Sequence, residues 1–197
     1  VPRICFVNKL DRAGADHASC VEQIRERLGG RPVVVQLPIG TEDKHRGIVD
    51  LLEMRAIYFD EASKGVKFEM TDIPAEMLDE CKAAREAMVE AASEVDDALM
   101  EKYLGGVAAT KEELKAALRK GCISMELFPV FCGAAFKNKG VQQVLDGVID
   151  YLPAPLDLPA LKGIDPDKGT EVERLASDDQ PLSALAFKIL TDPFVGM

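Results

Sequence analysis

The run Ile4-Cys5-Phe6-Val7 leads without a break into Asn8-Lys9-Leu10-Asp11, and a helix-forming stretch follows from about Asp16 to Leu28. A short apolar run of this kind is the pattern of a central parallel strand buried on both faces. A strand ending in a polar loop that feeds a helix is the repeating unit of an α/β sheet, which binds ligands at the carboxyl ends of its strands. A second such unit lies far downstream: Phe128–Cys132 reads as a strand, residues 133–140 as a loop, and the segment after it as a helix. That helix carries Val141, Val144, Leu145, Val148, Ile149 and Leu152 at helical spacing, predicting one buried stripe.

Between the two units the sequence changes character. Strand-like segments at Val33–Leu37, Ile48–Phe59 and Val66–Met70, separated by turn-rich pieces, predict a small antiparallel sheet. A long helix is expected from Pro74 to Tyr103, ending at Gly105-Gly106. The next helix starts at Thr110, which has capping-box spacing to Glu113. In the first helix Ala18, Val21, Ile24 and Leu28 form the expected apolar stripe, and Gly29-Gly30 ends it. Pro153, Pro155 and Pro159 mark a linker, and Leu182–Leu190 reads as one further strand. Val1 falls in a segment that already reads as strand, so the sequence is expected to be a piece of a longer chain.

The chemistry is carried by the two strand-end loops. An ionised Asp11 is an acceptor-only fork. Guanine presents a matching pair of donors, its ring N1–H and its exocyclic amino group, whereas adenine leaves the fork unpaired. Sites built on such a donor–acceptor match reject the wrong analogue by roughly 10⁴-fold. Lys9 can lay its aliphatic stem along a base while its ammonium stays hydrated. Asn8 has the donors and acceptors to tie this loop to another. In Cys132-Gly133-Ala134-Ala135-Phe136-Lys137-Asn138-Lys139-Gly140 small residues let backbone approach a base, and the Ala135 N–H is expected to reach guanine O6.

Charge and cysteine usage exclude several alternatives. The net charge is −10, and residues 60–103 hold thirteen Asp/Glu against five Lys/Arg, the wrong sign for lying on a nucleic-acid backbone. No apolar run approaches membrane-spanning length. The five cysteines include no C-x-x-C pair and read as reduced core thiols of a cytosolic or organelle-matrix protein. His17 and His45 are too few for a metal cluster and read as surface residues. No G-x-x-x-x-G-K-[ST] occurs, so phosphates and Mg²⁺ would have to be held by residues not in this sequence, and no catalytic residue is named.

The order strand–NKxD–helix, strand–(S/A)A–helix resembles that of GTPases. The wide separation of the two loops, Leu99–Gly106, the GAAFKNKGVQ loop and Thr191–Gly196 together resemble elongation factor G over essentially the whole chain. The resemblance implies a partial P-loop-type GTPase domain with a parallel sheet (1–38 and 128–152). It adds an inserted α+β subdomain (39–127), a linker (153–181) and the first strand of a β-barrel domain (182–197). It implies a cytoplasmic ribosomal translocase that binds GTP/GDP, hydrolyses GTP, and contacts base through Asn8, Lys9, Leu10, Asp11, Ala134, Ala135 and Phe136. The family usually has Ser where Ala134 stands, which weakens rather than abolishes the expected base contact. The resemblance also suggests a partner for the acidic stripe of helix 74–103 (Glu76, Glu80, Glu90, Glu94, Asp97, Glu101), namely the ribosomal stalk protein. Two other readings stay open: a ribosomal-protection or release-factor GTPase, or a non-catalytic acidic interaction module.

Overall fold

The computed structural model describes residues 1–188. Its strands are β1 (Cys5–Val7), β2 (Pro32–Val34), β3 (Gln36–Ile39), β4 (Gly47–Asp50), β5 (Arg55–Phe59), β6 (Phe68–Thr71), β7 (Phe128–Cys132), β8 (Leu161–Ile164) and β9 (Glu171–Arg174). The helices are α1 (His17–Leu28), α2 (Leu78–Ser93), α3 (Asp97–Leu104), α4 (Lys111–Ile123) and α5 (Val141–Tyr151). The chain divides into two units, the first covering Val1–Leu152 and the second beginning at Pro153.

The first unit contains both expected sheets. β7 lies between β1 and β2 with all three strands parallel, in the register Val7↔Cys132 and Val34↔Val130. Val130 and Cys132 are fully buried, as a strand covered on both faces must be. The antiparallel sheet runs β3-β4-β5-β6. The single strand expected at Val33–Leu37 is in fact the handover between sheets. The N–H of Val35 donates to Val130 in the parallel sheet, while its carbonyl accepts from Leu51 just past β4. From Gln36 onward the chain pairs with β4. Ile48–Phe59 likewise resolves into two strands, β4 and β5, joined by a turn in which Asp50 accepts from the Leu52 and Glu53 amides.

The expected long helix is two helices. A 3-10 turn, Ala75–Met77, precedes α2, and the chain breaks at 94–96 before α3 begins. Asp96 leaves the helical region (φ −142°) and caps α3 by accepting from the Leu99 N–H at 3.1 Å. Six carboxylates expected in one stripe are therefore distributed: Glu76 on the turn, Glu80 and Glu90 on α2, Glu94 in the break, Asp97 and Glu101 on α3. All six are exposed, but Glu94 pairs with Arg31, so a cation does reach the acidic face. Cys81, Met88 and Ala92 line the buried side of α2. The capping box at Thr110 and Glu113 is present and starts α4, whose Leu114 and Leu118 are fully buried. Truncating either leucine to Ala would cost about 2–5 kcal/mol.

Burial departs from expectation in four places. α5 buries Gly147 and Tyr151, while Leu145, Val148 and Ile149 are exposed. Val144 and Leu152 of the predicted stripe do pack against the core, so the stripe is covered only along one edge. On α1, Val21 is buried but Ala18 and Leu28 are exposed. Cys20 is exposed, whereas Cys81, Cys122 and Cys132 are the core thiols expected. Both histidines are buried rather than superficial.

The second unit opens on the proline-rich segment, yet the stretch expected to be linker contains a hairpin. β8 and β9 pair antiparallel, closed by a turn in which Asp165 accepts from the Asp167 and Lys168 amides. Residues 182–188 form no strand, because no described segment pairs with them, and the remainder of the strand expected at Leu182–Leu190 lies outside the described residues, as does Thr191–Gly196.

Candidate nucleotide-binding site

Parallel pairing of β1 with β7 brings both strand-end loops to the same edge of the sheet. The backbone continues the strand pairing into the loops: Gly133 N–H donates to the Val7 carbonyl at 3.0 Å, and Leu10 N–H donates to the Gly133 carbonyl at 3.1 Å. A side chain at Gly133 would place Cβ 2.2 Å from the Lys139 carbonyl oxygen, so only glycine allows this approach.

In the first loop Lys9 adopts the left-handed region (φ 63°). Leu10 is buried and anchors the loop, leaving Asn8 and Lys9 exposed on either side of the turn. In the second loop Ala134 and Lys139 form a two-bond bridge, with N–H···O distances of 3.0 and 3.1 Å. Asn138 turns the chain with φ 56°. The bridge lifts Ala135 and Phe136 outward while burying Ala134, and the Phe136 ring is 96% exposed.

Two contacts then cross between the loops. Asn8 Oδ1 accepts from the Ala135 N–H at 2.9 Å, the inter-loop tie expected of that side chain. Lys137 Nζ lies 3.2 Å from Asp11 Oδ2. Burial works against the Asp11 charge, but the Lys137 ammonium, by hydrogen bond and attraction, holds the carboxyl below the usual carboxylate range. The first contact corrects an expectation: the Ala135 N–H is committed to Asn8, so a contact with guanine O6 would have to share that donor. The structure thus brings together all seven expected residues, with Asn8, Lys9, Ala135 and Phe136 exposed, the Asp11 side chain only 10% exposed, and Leu10 and Ala134 as buried supports.

Sequence reasoning missed three residues in and beneath the loops. Lys137 carries the counter-charge to Asp11. Lys139 is 4% exposed yet charged, and its ammonium donates to the His45 carbonyl at 2.9 Å and pairs with Glu61 at 3.3 Å. His45 is buried, and burial together with the nearby Lys139 charge pushes its pKa down to about 4. Among the described residues no cluster of His, Cys, Asp and Glu is placed to hold a metal ion.

A parallel sheet with two linked loops at its strand ends, interrupted in sequence by an antiparallel sheet, has the arrangement of a partial GTPase-type α/β domain. Residues 1–154 match the elongation factor Tu GTP-binding domain, and the chain belongs to that family. It is also similar to a crystal structure of a Thermus thermophilus protein titled ttk003000868, with 27% identity and a TM-score of 0.69. That likeness covers 88% of this chain and 26% of the other, so this chain spans about a quarter of the length of the protein it matches. Among the described residues no helix is long and apolar enough to cross a membrane.

Proposed function

We propose that this chain supplies guanine recognition to a translational GTPase of the elongation factor G type, a ribosomal translocase of the cytoplasm. The observation that carries the reading is the Asp11 carboxylate, ion-paired to Lys137, on a loop that Asn8 ties to the Ala135 amide. Asp11 accepts from the two guanine donors. Lys9 and Phe136 offer the base an alkyl stem on one side and an exposed ring on the other. Asn8 sets the spacing of the two loops, and Ala135 can offer O6 a share of its N–H. GTP and GDP would be held through their base by these residues, and their phosphates and Mg²⁺ by residues this sequence does not contain. Hydrolysis therefore has no assigned residue here.

The domain reading draws on the sheets only in part, since Gln36–Pro38, placed with the GTPase portion, pair with β4 in the antiparallel sheet. Residues 1–38 and 128–152 are assigned to the GTPase portion, 39–127 to an inserted subdomain and 153–181 to a connecting segment carrying the β8–β9 hairpin; most of 182–197, assigned to the start of a barrel domain, lies outside the described residues. A ribosomal-protection or release-factor GTPase would use the same base site, and translocation activity separates it from the first reading. The exposed carboxylates Glu76, Glu80, Glu90, Asp97 and Glu101 suit a basic protein partner, for which the ribosomal stalk protein is the candidate. A non-catalytic acidic module is the reading to adopt if the base loops ignore guanine.

The test is an NMR titration of the chain with GDP and with ADP. GDP should shift the amides of Asn8–Asp11 and Ala134–Lys137, and ADP should leave them in place. Equal responses to both nucleotides, or shifts confined to other regions, would refute guanine recognition.

A further inference from the structure

Lys139 occupies an unusual position for a lysine, with its backbone in the base loop and its ammonium buried in the inserted subdomain. Its N–H and carbonyl form both hydrogen bonds of the Ala134 bridge that shapes the loop. Its side chain is 4% exposed and runs to the His45 carbonyl, two residues before β4, and to Glu61 in the β5–β6 turn. Ordinary loop lysines are solvated, and burying an ammonium is unfavourable unless its partners are fixed. Here they are. The β5–β6 turn is held by Asp60, whose carboxylate accepts from the Ala62 and Ser63 amides and whose carbonyl accepts from Gly65.

A second contact joins the same two elements. Gly65 packs against the base loop so closely that an added Cβ would lie 2.5 Å from the Lys137 carbonyl oxygen and 3.0 Å from that of Asn138. Gln142, one residue into α5, donates to the Val66 carbonyl at 3.0 Å. The β5–β6 turn of the inserted sheet is thus seated on residues 137–142, directly behind Ala135 and Phe136.

We infer that Lys139 is a positioning residue through which the inserted subdomain sets the conformation of the base loop. This rests on the guanine reading only for its consequence: a partner that shifts the β5–β6 turn would alter nucleotide retention without touching nucleotide. Lys139 contacts no reacting atom and acts through the Ala134 bridge and the turn it encloses, in which the Asn138 N–H donates to the Ala135 carbonyl.

The experiment follows amide hydrogen exchange in the 197-residue chain. Lys139→Met removes the ammonium and keeps the stem, and Gly65→Ala pushes the turn off the loop. Glu61→Lys reverses a charge at an exposed position and leaves the core untouched. Each should accelerate exchange of the Ala134 and Asn138 amides, by about tenfold or more for Lys139→Met given the strength of a charge-assisted hydrogen bond. The Leu118 amide in α4 should keep its rate. Unchanged exchange at Ala134 and Asn138 in all three variants would overturn the inference, as would equal acceleration at Leu118, which marks a merely structural lysine. GDP titration of the same samples separates the two claims. If GDP moves the base loops while the variants leave exchange unchanged, the coupling fails alone. If GDP has no effect while exchange responds, the coupling holds and the guanine reading fails.

Discussion

The side-chain oxygen of Asn8 accepts the amide N–H of Ala135 at 2.9 Å, across 127 residues of chain. It also accepts from the Lys9 amide at 2.7 Å, so one carbonyl shapes its own turn and fastens it to the other loop. Asn8→Ala should therefore cost about 1 kcal/mol of stability and speed exchange of the Ala135 amide. Urea unfolding with an unchanged slope, together with exchange at that amide, is the check. A midpoint and an exchange rate equal to wild type would show that the tie contributes nothing.

His45 makes stability sensitive to mild acid. Its ordinary pKa is 6.5 and in the fold it lies at about 4. Between those values the unfolded chain holds a proton that the folded chain refuses. The stability associated with neutral His45 is therefore complete above pH 6.5 and is lost as pH falls toward 4. The expected loss is on the order of 3 kcal/mol. His45→Leu keeps the carbonyl that Lys139 needs and should flatten this dependence, read as urea midpoints at neutral and acidic pH. Parallel curves for variant and wild type would assign the acid sensitivity to other groups.

Gly147 brings α5 hard against β7. An added Cβ would lie 2.2 Å from the Phe131 ring, which is buried and packed against Tyr151 with ring centroids 6.1 Å apart. In an exposed helix Gly→Ala stabilises by up to about 1 kcal/mol. Here overpacking should win, and Gly147→Ala should destabilise by about 1–3 kcal/mol. A raised melting temperature would mean that α5 moves freely off the sheet.

The sequence made the two loops legible because their chemistry is local: an Asn-Lys-x-Asp after an apolar run, and a glycine-alanine turn before a helix. It made α4 legible through its capping box, and α1 through Asp16, which accepts from the Ser19 amide. It could not show where the run Pro32–Ile39 changes sheets, since its one polar residue, Gln36, is buried and accepts from the Cys132 amide 96 residues away. The break before α3 did leave a signal, Asp96 three residues ahead of Leu99, outweighed by the helix-forming residues on both sides. The burial of His45 and Lys139 was invisible because each finds its surroundings through contacts more than 70 residues away, Lys139 to Glu61 being 78 residues distant.

The acidic face yields a prediction about partners. Glu76, Glu80 and Glu90 are exposed and, unlike Glu94, have no cation within ion-pair distance among the described residues. Changing all three to Lys should abolish salt-dependent binding to a basic stalk-type partner while leaving the GDP response of the base loops intact. Undiminished binding at low salt would make this face merely solvated.

The base reading stands or falls on Asp11. Asp11→Asn replaces one acceptor of the fork with an NH₂ donor, which fits the C2 carbonyl of xanthine and clashes with the amino group of guanine. Side-by-side titrations of the wild-type and Asp11→Asn chains with GDP and xanthosine diphosphate measure this directly. The GDP affinity of the variant should fall by at least about tenfold and its affinity for xanthosine diphosphate should rise above that of wild type. GDP binding unchanged by Asp11→Asn would contradict the assignment of this carboxylate to guanine.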